Sequence, residues 1–523
     1  MNNTKLTVLI LAAGYGRRMG PFSRMIPKAL IPYDNKPLIS HIMGKFDKET
    51  TKFVIACGHM GQLTKDYVSE VHKDKNIVFV DIDNYAEGDT GPATSIQMCA
   101  EHIRGGFLWL ACDTLFDFDI TNKLDHNWIG VHPVDSTIAQ DYCWVERDGE
   151  TITQVHDKQP SKTAVDAFIG LMYAKDDAYL DNLIARGAKE TPEGFDGLDL
   201  RAHTVRGWKD FGTYEKWEEL SAELVDVSFP KPDELFYSDN KQIIKFWPNP
   251  KQAEKRVARA ECNSRAMPSN VRAKGPFLIH DFANGDIVYN QYNIDLFRKM
   301  LEWCTTSLWT PAPPAADADF DHLAVCRKFY YEKTMERVDM FRAKYPNWSE
   351  PCVVNGHEVD TINHYLEQID WAYLCTETRW AFIHGDLHFD NTIYDPDAYI
   401  AEPRGKFTAI DWRTDFGGEL YGDQYYDLAK MLGGLWLSYK DIKHERYGYR
   451  EKDDYVTLDI PSVVDAKLYE SVLEEWTRTQ GLDWRKVKTL VPIIYLNMSP
   501  LHEAPFDKFL IALAQYHFSK VLG

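Results

Sequence analysis

Short apolar runs alternate with helical patterns over roughly the first 222 residues. Thr7–Ala13, Phe53–Cys57, Ile77–Val80 and Phe107–Cys112 are apolar stretches of strand length. Such runs suit strands covered on both faces. Between them, Pro37–Lys45, Gly61–His72 and Ala93–Ile103 read as helices. The rhythm predicts an α/β domain, doubly wound and Rossmann-like, with ligands at the carboxyl ends of its strands. Val225–Asp233, with Phe229-Pro-Lys-Pro232, breaks the pattern and predicts a linker. Glu234–Trp247 then reads as a strand pair and Pro250–Cys262 as a helix. From about Tyr292 the pattern is mostly helical, interrupted by the proline-rich Thr310-Pro-Ala-Pro-Pro-Ala315. The expected organisation is a domain over residues 1–224, a linker over 225–233 and a second domain over 234–523. Within the second, a small strand-rich lobe covers about 234–290 and a helical lobe about 291–523.

At 523 residues the chain exceeds one ordinary core, which agrees with that division. Its formal charge of -20 argues against non-specific binding to nucleic acid or anionic membranes. The nine cysteines are scattered without a Cys-x-x-Cys pair, which reads as reduced thiols in the cytoplasm and against structural zinc. The apolar run at Thr7–Ala13 is too short to span a bilayer, and no cleavable signal pattern follows it. No membrane insertion is expected.

The Gly14-Tyr-Gly16 turn follows the first apolar run and is followed at once by Arg17 and Arg18, then by Lys28 in Pro27-Lys-Ala-Leu30. Glycines let backbone N–H groups approach anionic oxygens, and fixed cations beside that cradle suit a triphosphate attacked at its α-phosphorus. Asp113, in Leu110-Ala-Cys-Asp113, ends an apolar strand, where a lone carboxylate is costly without a cation. Leu11-Ala-Ala-Gly-Tyr-Gly-Arg-Arg-Met19 with Pro27–Leu30 resembles the nucleotidyltransferases that activate sugar phosphates and phosphocholine, over about the first 220 residues. The resemblance implies that Arg18 steadies the triphosphate and the developing charge, and that Lys28 contacts phosphate. It also implies that Asp113 and Asp210, the latter in Gly207-Trp-Lys-Asp-Phe-Gly-Thr213, hold Mg²⁺. Gly14, Gly16 and Arg17 would then bind the nucleotide, with Ala13 and Gly91 (in Thr90-Gly-Pro-Ala-Thr94) near the base. Lys158, in Asp157-Lys-Gln-Pro160, matches a lysine that holds the acceptor phosphate, although the family has Glu-Lys-Pro. An ordinary turn carboxylate for Asp210 and an exposed lysine for Lys158 are the plainer alternatives.

In His384-Gly-Asp-Leu-His-Phe-Asp-Asn391, Asp386 and Asn391 stand five residues apart, so that an acid can accept a hydroxyl proton while an amide reaches a metal. Asp411, in Ala409-Ile-Asp-Trp412, can ligate a magnesium that bridges phosphates. A metal site of His384, Asp386 and His388 is the competing reading. These motifs resemble the aminoglycoside-phosphotransferase and choline-kinase family, over roughly the last 290 residues, which implies a bilobal, protein-kinase-like domain. Asp427, in Gly422-Asp-Gln-Tyr-Tyr-Asp-Leu-Ala429, and His384 would brace the loop. Lys245, in Gln242-Ile-Ile-Lys-Phe246, would hold nucleotide phosphates, with Glu261 as its partner, Glu254 second, and a solvated acidic face as the alternative. Pro230–Asn240 contains no glycine, so a hairpin at Tyr237-Ser-Asp-Asn240 would cover the nucleotide. Trp303, Trp309, Trp348, Trp371, Trp380, Trp412 and Trp436 could converge as a cation box or, more commonly, serve as core.

Together the two halves imply a bifunctional transferase. The C-terminal domain would phosphorylate a small hydroxyl metabolite (a choline-like alcohol, polyol or sugar) with ATP. The N-terminal domain would then transfer a nucleotidyl group, CMP favoured, to the phosphate ester and release pyrophosphate, giving a precursor for surface glycan or lipid. Mg²⁺ is implied at both sites, with ATP and CTP or another NTP as substrates. A sugar kinase joined to a sugar-1-phosphate uridylyl- or guanylyltransferase is the first alternative, and uncoupled activities the second. A kinase fused to a non-catalytic scaffold is the third. Homo-oligomerisation is left open.

Overall fold

The computed structural model describes residues 6–83, 91–117, 119–120, 123–222, 224, 233–239, 241–313, 321–398 and 406–522. Its backbone packing divides into Met1–Pro250 with Ala273–Ile279, and Lys251–Arg272 with His280–Gly523. The expected linker lies almost wholly outside the described residues, as do Thr90, Asn240 and the end of the proline-rich loop.

In the first unit, the expected apolar strands form one half of a nine-stranded sheet. From one edge its order is Asn76–Asp81, Thr51–Cys57, Leu6–Ala12, Phe107–Ala111, Val165–Ala174, Asn127–Val134, Leu200–Thr204, Thr151–Asp157 and Cys143–Asp148. The first four are parallel, with Ala12 opposite Cys57, Cys57 opposite Asp81, and Leu11 opposite Ala111. Their carboxyl ends therefore share one edge, and Gly14 and Asp113 leave the sheet side by side. Beyond them the sheet is mixed: Val165–Ala174 runs antiparallel to both its neighbours. The expected helix over 93–103 forms in two pieces, Pro92–Met98 and Ala100–Ile103.

Alternation along the first strand decides which core each residue joins. Val8, Ile10 and Ala12 enter one cluster, and Leu9 and Ala13 the other. The expected strand pair is present as Leu235–Asp239 antiparallel to Gln242–Phe246. Tyr237, Ile244, Phe246 and Phe277 belong to the same core as Val8 and Ile10. Tyr237 is fully buried, lies edge-on to Tyr67 at 5.6 Å, and donates its hydroxyl to the Leu30 carbonyl at 2.7 Å. Ser40 and Tyr67 meet at 3.0 Å, and His72 lies 3.6 Å from Asp239. The strand is thus fastened by an aromatic plug and a buried polar cluster.

The second unit is mostly helical, as expected. Gln424–Trp436, Trp484–Met498 and Phe506–Val521 are its most buried helices. A short hairpin, Thr392–Tyr394 with Phe407–Ala409, places Thr392 opposite Ala409. No helix among the described residues is long and apolar enough to cross a membrane.

Tyr237→Phe should lower stability by about 1–3 kcal/mol, because the Leu30 carbonyl loses its donor. Tyr237→Ala should cost about 3–5 kcal/mol through the cavity it leaves. Urea unfolding measures both, and unchanged midpoints would show that this strand does not anchor the unit.

Candidate active sites

The first site grows from the shared strand edge. Gly16 takes a left-handed φ of 67°, and a Cβ there would lie 3.5 Å from Lys28 Cβ, so the glycine turn folds over Lys28. Lys28 Nζ in turn pairs with Asp113 Oδ2. Burial works to raise the Asp113 carboxyl, but Lys28, with a smaller contribution from Arg18, holds it below its ordinary range. Arg17 and Arg18 are exposed, and Arg17 reaches over the Tyr15 ring at 5.5 Å.

Antiparallel pairing of Arg206–Asp210 with Thr114–Asp117 places Asp210 opposite Thr114, one residue beyond Asp113. The Phe211 N–H donates to the Asp113 carbonyl at 2.9 Å. Asp210 accepts from the Gly212 N–H at 2.8 Å and the Tyr142 hydroxyl at 2.6 Å, and also pairs with Lys216. Burial opposes the charge on Lys216, but Asp210 and Tyr142 outweigh it and raise its pKa. Lys216 and Tyr142 carry no motif and were not expected; only the position of Lys216 six residues after Asp210 hints at it.

Lys158 joins this group through its backbone. Its N–H donates to the carbonyl of the same Tyr142, at 3.1 Å, with φ at 50°. Its side chain is 58% exposed, and its ammonium lies 3.9 Å from Glu190. Gly91 packs against the neighbouring Lys189, where a Cβ would fall 2.1 Å from the carbonyl oxygen, so only glycine fits. Ala13 is buried, and its carbonyl accepts from the His59 N–H at 2.9 Å. Gly16, Lys28 and Asp113 thus meet beyond the carboxyl ends of the parallel strands. Asp210 and the Lys158 backbone are tied to them through Phe211 and Tyr142, and Gly91 stands against Lys189. Asp113 and Asp210 stand on adjacent backbone segments, and their carboxylates are hard oxygen donors of the kind Mg²⁺ takes.

In the second unit, the loop holding Asp386 is braced from below. Asp427 accepts from the His384 and Gly385 N–H groups, both at 2.7 Å, and from Trp309 Nε1 at 3.0 Å. Burial pushes the Asp427 carboxyl up to about 6, against the pull of those donors. His384 is fully buried; its Nδ1 accepts from the Asp386 N–H at 3.1 Å, and its Nε2 lies 2.7 Å from the Ile410 carbonyl, to which it must donate. Burial lowers it to about 4, so the ring is neutral with both nitrogens engaged. It has no lone pair left for a metal, which removes the His384–Asp386–His388 metal reading. Gly385 sits at φ 83° beneath Arg413, whose Cδ would meet a Cβ at 2.6 Å.

Asp386 pairs with Lys430 Nζ at 2.7 Å. Burial works to raise this carboxyl, but Lys430 and His388 hold it well below the usual range. An ionised carboxylate in this position can orient a hydroxyl hydrogen. Asn391 donates to the Asp386 carbonyl at 2.9 Å, and the Ile410 N–H donates to the Asn391 carbonyl at 2.9 Å. The hairpin therefore brings Asn391 beside Asp411, an exposed residue with φ of 61°. Their oxygens also suit Mg²⁺. Lys430 was not expected, although it stands one helical turn after Asp427.

Lys245 lies 3.4 Å from Glu234, just ahead of the neighbouring strand. Glu261 and Glu254 are exposed on the helix Lys251–Cys262 of the second unit, where the fully buried charge is Arg259. Burial pulls Arg259 down to about 10; it donates to the Ile383 carbonyl and lies 4.9 Å from the Phe382 ring. The seven tryptophans serve separate contacts: Trp309 packs on Trp476, Trp412 on His280, Trp436 on His517 and Trp348 on Phe341.

Residues 8–156 match the model of the MobA-like NTP transferase domain. The chain is similar to "Bifunctional protein GlmU" of Methanococcus aeolicus, with 26% identity over 229 residues, covering 42% of this chain and 53% of the relative. It is also similar to "UTP--glucose-1-phosphate uridylyltransferase AglF" of Haloferax volcanii, with 24% identity over 239 residues, covering 42% and 96%. Among solved structures, UDP-glucose pyrophosphorylase complexed with UDP-glucose matches with 18% identity and a TM-score of 0.36, covering 42% of this chain and 97% of that one. The chain spans about half the length of the GlmU relatives it matches. An N-terminal nucleotidyltransferase-type domain is thereby supported.

Asp210→Asn should weaken Mg²⁺-dependent binding of a nucleoside triphosphate to the whole protein at least about tenfold, since a ligand charge and the Lys216 pair are both lost. Calorimetry with and without Mg²⁺ measures it, and equal affinities for the variant and the parent would exclude Asp210 from the metal site.

Proposed function

We propose that the first unit transfers a nucleotidyl group from an NTP to a phosphate ester. The observation that carries this reading is the placing of Asp113 and Asp210 side by side beneath the Gly16–Lys28 turn. Mg²⁺ would neutralise the phosphates there and favour attack at the α-phosphorus. Arg18 and Lys28 would bind the triphosphate, Gly14, Gly16 and Arg17 its backbone-contacted oxygens, and Ala13 and Gly91 the base. Lys158 would orient the ester phosphate. CMP transfer to a choline-like or polyol phosphate remains our first reading. A sugar 1-phosphate with a uridylyl or guanylyl donor is the second, favoured by a relative named as a UTP–glucose-1-phosphate uridylyltransferase.

We further propose that the second unit makes the ester, by phosphorylating a hydroxyl with ATP. The braced loop supports this reading: Asp427 holds the backbone, His384 is locked neutral, and Asp386 is kept ionised to receive the hydroxyl proton. Asn391 and Asp411 would hold Mg²⁺.

A mass-resolved screen with ATP, CTP, UTP, GTP and Mg²⁺ tests both steps, using choline, polyols and sugars as acceptors. One acceptor should yield both a phosphate ester and its NDP derivative. Asp386→Asn should abolish ester formation while sparing nucleotidyl transfer to a supplied ester. Arg18→Ala should slow nucleotidyl transfer about a hundredfold or more and let the ester accumulate. If Asp386→Asn stopped both steps in a folded protein, the two-site reading would be wrong.

A further inference from the structure

Beside the Asp386 loop lies a group of basic side chains that the mechanism above does not use. The π-helical turn Lys328–Glu332 and the helix that continues it, Lys333–Lys344, present Phe329, Lys333 and Arg337. Lys333 Nζ lies 4.1 Å from the centroid of the Phe329 ring, and the Arg413 guanidinium carbon lies 5.2 Å from the same centroid. Arg413 reaches that ring by crossing over Gly385, the residue before Asp386.

The nearby acids are already taken. Asp386 is paired with Lys430 at 2.7 Å and Asp415 with Lys255 at 2.9 Å. Among the described residues, no carboxylate lies within ion-pair distance of Lys333, Arg337 or Arg413. Arg413 Nε reaches only the Asp415 carbonyl, at 3.4 Å, and the buried Nε of Arg337 has no partner. All three side chains are half-buried, so that water screens them poorly while a ligand can still reach them. Burial, followed by the charges of Arg413, Lys430 and Arg337, pushes the Lys333 ammonium well below its ordinary value. Cations gathered without counter-charges are unfavourable until an anion joins them. That they occur in a chain of charge -20 makes a local purpose more pointed.

We propose that the acceptor bound beside Asp386 is an anion: a hydroxyl compound whose carboxylate or phosphate group is held by Lys333 and Arg413. This rests on the kinase reading of the second unit and narrows it. A cationic acceptor such as choline would be repelled by the same group, whereas a polyol acid or a polyol phosphate would present its hydroxyl to Asp386 from an anchored end. Arg413 and Lys333 would be specificity-determining residues, with no role in moving the proton.

Calorimetry on the whole protein provides the test, with D-gluconate against sorbitol, glycerol 3-phosphate against glycerol, and choline. An anion should bind at least tenfold more tightly than its neutral counterpart, and the carboxylate and phosphate pairs separate the two sources of charge. Lys333→Met should abolish that preference and Lys333→Arg should retain it, while the KM for ATP stays unchanged in both. If no anion outbids its neutral counterpart, or if Lys333→Met changes only the KM for ATP, the proposal is overturned. ADP release in parallel keeps the two readings apart: anion binding without ADP from any acceptor would sink the kinase reading alone.

Discussion

An ionised carboxylate withdrawn from water needs a cation or several hydrogen-bond donors within reach. That requirement shapes both sites. Asp113 sits against Lys28, Asp210 against Lys216, and Asp386 against Lys430. Asp427 instead collects three N–H donors. The fold delivers each partner from a different element, so each pair also fixes the position of a loop. The glycine turn is tied to the sheet edge through Lys28, and the loop of Asp386 is tied to the helix Gln424–Trp436 through Lys430 and Asp427. The ion pairs that keep these acids ionised are therefore also what hold them in place.

The two sites reach this result differently. In the first unit the scaffold is a sheet edge, where the parallel register sets Leu11 opposite Ala111 so that Gly14 and Asp113 emerge together. In the second it is a loop with little regular structure of its own, clamped from one side by Asp427 and from the other by the hairpin that carries Asn391 to Asp411. Its His384 serves as a spacer whose neutral ring joins the backbones of Asp386 and Ile410. A sheet edge tolerates the loss of one side chain better than such a loop does, because its geometry is carried by many backbone hydrogen bonds.

Much of this was legible in the sequence wherever a short-range signal existed. The four apolar runs became strands within a residue or two of their expected limits, since a run of Val, Ile, Leu and Phe bounded by turns leaves few other options. The motif acids were legible because their spacing is local. Strand direction was not: an apolar run reads the same in either sense, so the antiparallel Val165–Ala174 within the sheet could not be foreseen. The cations were harder still. Lys430 falls one helical turn from Asp427 and could have been found by that spacing, but Lys216 depends on a turn whose geometry no pattern encodes. The pairing of Lys245 with Glu234 depends on strand register. The tryptophans, conspicuous in composition, lie against different rings, Trp303 against Phe407, Trp309 against Trp476, Trp371 against Tyr331 and Trp436 against His517.

Charge pairing across the second unit gives the unpaired cations their meaning. Lys486 and Asp423, both fully buried, lie 2.9 Å apart. Lys344 meets the buried Asp507 at 3.0 Å, and Lys430 meets Asp386. Three interior charges of the unit are thus matched by carboxylates, whereas Arg259 is held by the Ile383 carbonyl and the Phe382 ring, and Lys333 and Arg413 have no carboxylate partner among the described residues. Instead the two share the face of Phe329, an arrangement worth about 1–2 kcal/mol per cation when partly desolvated. Such a contact retains a cation without neutralising it. The aromatic face holds the pair in place, and the charge stays available to whatever is bound beside Asp386.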